Sequence, residues 1–273
     1  MKTSIMLLIL LFSITLLSCE KQSNDNSNTG SKSDSESLKN EQVPVFTKKE
    51  FEKSYEGCNP DSSSCAYVNI DYVEMTEGES KNKINNHIKN ILLTTMYPMN
   101  DTSYGSLEDL ANGFLKDYAD TKKEFPEIPG EWYLEANLTD TGGTDKIICI
   151  EQSFGMFTGG AHPVHYETYF NYNAKTGDSI GLSDIFKADF EKELQELVVN
   201  KFRKDQNLKP DEPLTNAGLF DDSLTYNNNF LLTKEGITFH YNIYEIWSYA
   251  QGTTDVFIAY ADLKGILKEN GLY

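Results

Sequence analysis

Trp132-Tyr133-Leu134-Glu135-Ala136-Asn137-Leu138 places an apolar side chain at every second position. Trp132, Leu134, Ala136 and Leu138 share one face, and a period of two is that of a half-buried strand. Asp140-Thr141-Gly142-Gly143 follows as a hairpin turn, and Lys146 to Phe154 is expected to pair back. Before Trp132 the period is different. Ser106 can cap a helix, with Asp109 three places on, and Leu107, Leu110, Ala111, Phe114, Leu115 and Tyr118 make its stripe. An earlier helix carries Ile84, Ile88, Ile91, Leu92 and Thr95 on one face.

Strand-like runs occupy 43–56 and 66–76 ahead of those helices, and another runs from His165 to Tyr172. A further helix carries Phe190, Leu194, Leu197, Val198 and Phe202, and Pro210 and Pro213 open the loop after it. Strands from Asn229 to Thr233 and Ile237 to Ile243 meet at Lys234-Glu235-Gly236. A last strand, Val256 to Tyr260, precedes a short helix from Asp262. Helix pairs set apart from strand runs predict an α+β fold: antiparallel sheets with helices packed on one face, in two consecutive α/β modules.

The chain has 273 residues, 12% of them aromatic, enough for one large or two small cores. Its 42 acids against 24 Lys and Arg give a net charge of −18. That balance argues against nucleic acid and against a polybasic hold on anionic lipid, and it favours basic partners. Residues 20–42 are rich in Ser, Asn, Lys and Glu without apolar periodicity. They are expected to be a flexible tether spanning roughly 25–30 Å.

Of four cysteines, Cys58 and Cys65 bracket a turn-rich segment and read as a disulfide in an exported protein. Cys149, between Ile148 and Ile150, reads as a buried thiol. Of four histidines, His87 lies beside a helix stripe, and His240 falls on the polar face of its strand. His162-Pro163-Val164-His165, with Glu167 nearby, leaves three readings open: a metal site, a general base, or a hydrogen-bonded loop. Pro163 breaks any helix, so the pair cannot face one way as in zinc hydrolases. Gly159-Gly160 permits positive φ or close backbone approach. No His-Glu-x-x-His or dinucleotide fingerprint occurs. No metal or cofactor is expected, and no catalytic residue is assigned.

Three resemblances add to this. Lys2, the apolar run Ile5 to Leu17 and Leu16-Leu17-Ser18-Cys19 resemble a bacterial lipoprotein signal peptide. That implies cleavage after residue 18, a lipid on Cys19 and an extracytoplasmic position, on the outer membrane or cell surface where there are two membranes. Phe157-Thr158-Gly159-Gly160-Ala161-His162-Pro163, Tyr169 to Asn173, Leu182 to Phe186, and Phe239 to Gly252 with its Tyr244-Glu245-Ile246 core resemble the C-terminal domain of the RsiV anti-sigma family. Tyr67 to Tyr72 and Ile84-Asn85-Asn86-His87-Ile88 look like the module that precedes the deacetylase domain in PdaC-type proteins.

The first of these domains binds lysozyme outside the cell, and the second kind of protein acts on peptidoglycan. The implied organisation is a signal peptide at 1–18, a tether at 19–42, a PdaC-like module at 43–128 and an RsiV-like domain at 129–273. The implied role is a membrane-tethered binding protein for a cell-wall glycan or a basic, lysozyme-like protein. Gly159, Gly160, His162, His165, Tyr244, Glu245 and Tyr249 are the candidate binding residues. Glu245 is either a carboxylate satisfied by backbone N–H groups or a ligand contact. A cell-wall hydrolase using His162 or His165 and an envelope scaffold are the alternatives.

Overall fold

The computed structural model describes residues 44–62, 64–94, 104–127 and 130–269. Cys19, the tether and Thr95 lie outside the described residues. Thirteen elements follow in order: β1 (Val45–Ser54), β2 (Ala66–Glu77), α1 (Lys81–Thr94), α2 (Leu107–Glu124), β3 (Trp132–Asp140), β4 (Ile147–Phe157), β5 (Val164–Asn173), α3 (Leu182–Ile185), α4 (Glu191–Asp205), β6 (Phe230–Leu232), β7 (Gly236–Tyr241), β8 (Thr254–Ala259) and α5 (Tyr260–Leu263). They make an α+β fold with two sheets, β1-β2-β3-β4-β5 and β6-β7-β8.

Five of the six strand pairs are antiparallel; β2 and β3 run parallel, with Val68 opposite Leu134. Parallel neighbours need a long crossover, and α1 and α2 supply it. The five-stranded sheet therefore runs through the boundary expected near 128. The short α3 was not expected from the sequence. Its single turn offers no periodicity to read, and it starts at Gly181, whose N–H donates to the Asp184 carboxylate at 2.9 Å.

One face of the large sheet is covered by α1 and α2. Val68 and Ile70 of β2, Leu134 and Leu138 of β3, and Ile150 of β4 pack there against Ile84, Ile88, Leu110 and Phe114. The helix starts as its sequence dictates: the Asp109 N–H donates to Ser106 Oγ at 3.1 Å. Lys122 and Lys123 in the last turn suit the negative end of the helix. Asn85 docks α1, accepting from the Met75 N–H at 2.8 Å and donating to the Met75 carbonyl at 2.9 Å.

The opposite face divides. At one end Ile147 and Cys149 enter a second core with α4, β6, β7 and β8. At the other end Tyr67, Tyr133, Phe157 and His165 stand clear of that core.

Asparagines join the sheets. Among the described residues the outer edge of β5 meets no further strand beyond a bridge from Tyr172 to Ser179, and an unpaired edge is costly when covered. The Tyr169 N–H donates to Asn229 Oδ1 at 2.9 Å, and the Glu167 N–H donates to Asn242 Oδ1 at 2.7 Å. The Glu167 carbonyl accepts from the amides of Asn229 and Asn242, at 2.8 and 2.9 Å. On β5 itself, buried Asn171 reaches β6: its amide donates to the Phe230 carbonyl at 2.7 Å, and its Oδ1 accepts from the Leu232 N–H at 3.1 Å. At Glu167 and Tyr169 side-chain amides thus replace the backbone ladder a sixth strand would provide.

Cys58 and Cys65 form a disulfide with their Cα atoms 5.6 Å apart. A loop this short limits what the bond contributes. Replacing both by alanine is expected to lower unfolding free energy by about 2.5 kcal/mol from loop entropy, which urea denaturation would measure. Cys149 is a buried free thiol. Burial pushes its pKa up to about 12. It donates toward Asn171 Oδ1 at 3.0 Å, so its place is structural.

Candidate functional site

β3 and β4 place the site. On β3 the even positions face the helices, and Tyr133 and Glu135 face the other way. Tyr67 lies opposite Tyr133, and Tyr133 lies opposite Phe157. The three rings form a row, each neighbouring pair 6.1 Å apart between centroids. Gly155 opens a place beside the row: a Cβ there would sit 3.0 Å from the His165 ring and 3.7 Å from that of Tyr133. The absent side chain lets those two rings share the space above the strand.

After β4 the chain turns through Gly159 and Gly160, at φ 93° and 107°, which few other residues adopt. Beneath Gly159 lies the Trp132 indole. Its Nε1 is buried with no hydrogen-bond partner, 3.9 Å from where a Gly159 Cβ would be.

The turn carries His162 onto Tyr249. Their rings stack at 4.8 Å between centroids with planes 19° apart. Tyr244 packs against Tyr249 at 5.6 Å. Tyr249 also lies within electrostatic range of the Tyr133 phenol, so the stack stands near the row.

The segment bearing Tyr244 and Tyr249 is held from below. Trp247 is buried, packs on Phe202 at 6.1 Å between ring centroids, and donates from its indole to the Gly252 carbonyl at 2.8 Å. Tyr244 is 57% exposed and has φ 63°, a left-handed conformation that costs a bulky residue stability. Glu245 clamps that turn. One of its oxygens accepts from the Asn242 N–H at 2.8 Å, the other from the Asn227 amide at 2.8 Å. Glu245 thus bonds one backbone N–H and one side-chain amide, and it stays exposed.

Two exposed carboxylates flank the rings. The Tyr67 hydroxyl donates to Glu135 at 2.7 Å. Partial burial, then Glu135 and Glu131, raises the Tyr67 and Tyr133 pKa values, so both phenols stay protonated near neutral pH. The surface offers aromatic rings, phenolic donors and carboxylate acceptors together.

Gly159, Gly160, His162, Tyr244 and Tyr249 thus come together, while His165 stands farther along with Tyr133. Among the described residues no carboxylate pairs with the imidazole of His162 or His165, and no cluster of three or more His, Cys, Asp or Glu could hold a metal ion. No described helix is long and apolar enough to cross a membrane. Tyr67, Tyr133 and Phe157 stand in the quoted runs but were not named as binding residues from the sequence. The available signal was an aromatic on the outer face of an otherwise alternating strand.

His240 corrects an expectation. It does point away from Ile237, Phe239 and Tyr241, but it is only 2% exposed, because β5 lies over that side. Separately, a cavity of about 420 Å³ lies between β2, α1 and the start of α2, lined in part by Tyr72, Ile88, Leu92 and Leu107.

An α+β chain with helices on one face of a five-stranded sheet, and an aromatic surface completed by a second sheet, defines the class. Residues 183–261 match the model of a family described as Protein of unknown function (DUF3298). That stretch runs from α3 into α5 and includes Tyr244 to Gly252. A DUF3298 family protein from Pseudomonas aeruginosa PAO1 has the same fold, with TM-score 0.68 and 21% identity over 85% of this chain and 98% of its own. A DUF3298 member from Bacteroides fragilis gives TM-score 0.70 and 21% identity over 85% and 96%. No curated protein matches the chain.

Proposed function

We propose that this chain is a binding protein of the bacterial envelope, tethered outside the cell through a lipid on Cys19, whose aromatic face takes a peptidoglycan-related glycan. The observation that carries the reading is the stack of His162 on Tyr249, beside Tyr244 and Tyr133. Sugar rings present C–H groups to aromatic faces and hydroxyls to carboxylates and phenols, and this surface supplies both. Its backbone is prepared in advance by Trp247 and Glu245, which lowers the ordering cost of binding. The RsiV-like and PdaC-like resemblances point to the same compartment, and the PdaC-like one to peptidoglycan.

A second reading has its own support. Glu131 and Glu135 flank the rings, and the chain carries −18. A basic protein such as lysozyme could place Lys or Arg over the tyrosines, steered by that charge.

Co-sedimentation with purified peptidoglycan and pull-down with lysozyme, each at low and high salt, tests both. Tyr249→Ala is expected to weaken glycan binding at least about tenfold without lowering the melting temperature, since the ring is partly exposed. Capture of lysozyme that fades with salt favours the second reading. Wild type and variant behaving alike toward both ligands removes the aromatic face from the account.

A further inference from the structure

We infer that His240 is a proton-operated clamp between the two sheets: protonated, it holds β5 against β7 and β8 and keeps the Tyr244–Gly252 segment in place, and neutral, it lets that segment loosen. The imidazole is buried and reaches two elements at once. Its Nδ1 lies 2.7 Å from Asp255 Oδ1 on β8, and its Nε2 lies 3.6 Å from Glu167 Oε2 on β5. Nε2 makes no hydrogen bond, so its link to Glu167 is electrostatic and depends on charge.

The groups that act on this imidazole come from every side. Glu151 on β4, Glu167 on β5, Asp255 on β8 and Glu245 after β7 are all carboxylates. Tyr169 on β5 packs its ring edge-on to the imidazole at 5.7 Å, and burial followed by Glu151 and Glu167 keeps its phenol neutral. A neutral His240 leaves these carboxylates facing one another without a counter-charge.

The link to the site is short. Glu167 is the residue whose backbone both Asn229 and Asn242 hold, and the Asn242 N–H is clamped by Glu245, next to Tyr244. Asn227 ties the same Glu245 to the His240 carbonyl, which its amide meets at 2.7 Å. Losing the charge at His240 therefore loosens the support of the turn that presents Tyr244.

The sign follows from the surroundings. Burial opposes the imidazolium, but the Asp255 hydrogen bond and the fields of Asp255, Glu167 and Glu245 outweigh it, and the pKa stands above the ordinary 6.5. A raised pKa means stabilisation that is fully present below 6.5 and lost as pH rises through the folded value. Glu151, also raised, first by burial, contributes in the same direction at lower pH.

The consequence for a ligand rests on the aromatic face being the binding surface; the clamp itself does not, and its test uses no ligand. The carbon-bound ring protons of the four histidines are followed by NMR across the neutral range in the soluble chain beginning at the tether. Backbone hydrogen exchange, corrected for intrinsic rates, is measured alongside. His240 should titrate above the ordinary 6.5 of an imidazole. Protection at Asn242–Gly252 should fall about tenfold as pH passes its midpoint. Asp255→Asn and Glu167→Gln should each lower that midpoint and move the loss of protection with it. A midpoint at or below 6.5, or protection that ignores it, overturns the clamp; should either variant fail to fold, the wild-type titration decides alone.

Discussion

Asn171→Leu is expected to destabilise the protein by about 3–5 kcal/mol, although leucine nearly matches asparagine in size. Asn171 is 5% exposed and spans the gap between β5 and β6. Its removal strands the Leu232 N–H and the Phe230 carbonyl, both of which point away from β7. A buried polar group without a partner costs roughly 1–3 kcal/mol, and the Cys149 thiol loses one of its two acceptors, keeping the Leu232 carbonyl at 3.2 Å. Urea denaturation would read the change as a lower midpoint with an unchanged slope. Asn171→Asp, which keeps the acceptor and loses the donor, provides the comparison. A leucine variant as stable as wild type would mean that the amide does not join the sheets.

Phe114→Ala is expected to cost about 3–5 kcal/mol through the cavity it leaves. Phe114 is fully buried, and its ring lies 5.9 Å from that of Trp132. Trp132 in turn supports the Gly159 turn that delivers His162 to Tyr249. The substitution should therefore also blur the aromatic surface from the far side of the sheet, visible as weakened ring-current shifts at His162. Loss of stability with those shifts intact would separate the helix-covered core from the site.

These two residues differ in how far the sequence exposes them. Phe114 belongs to a stripe of period 3.6, and Trp132 to a run of period two, so the helices and strands that hold them follow from spacing alone. Asn171 carries no such pattern. Its role depends on β6, some sixty residues later, lying beside β5. The parallel pairing of β2 with β3 was equally hidden, because a strand pattern states which face is buried and says nothing of direction.

His240 shows the same limit in another form. Alternation along β7 gives its face, whereas its burial depends on β5 covering that face. For the site, the Gly159–His162 and Tyr244–Tyr249 segments stood out through a family resemblance, and only the fold stacks one on the other. Glu245 drew notice as a charge among apolar neighbours. Its two hydrogen bonds make it the brace of a strained turn.

Backbone and methyl chemical-shift mapping with soluble peptidoglycan fragments asks where a ligand lands on the wild-type protein. The account predicts shifts confined to Tyr67, Tyr133 and Phe157, to Gly159–His165 and to Asn242–Gly252, and their loss in Tyr249→Ala. Shifts centred on the cavity between Tyr72, Leu92 and Leu107, with the aromatic surface silent, would contradict it.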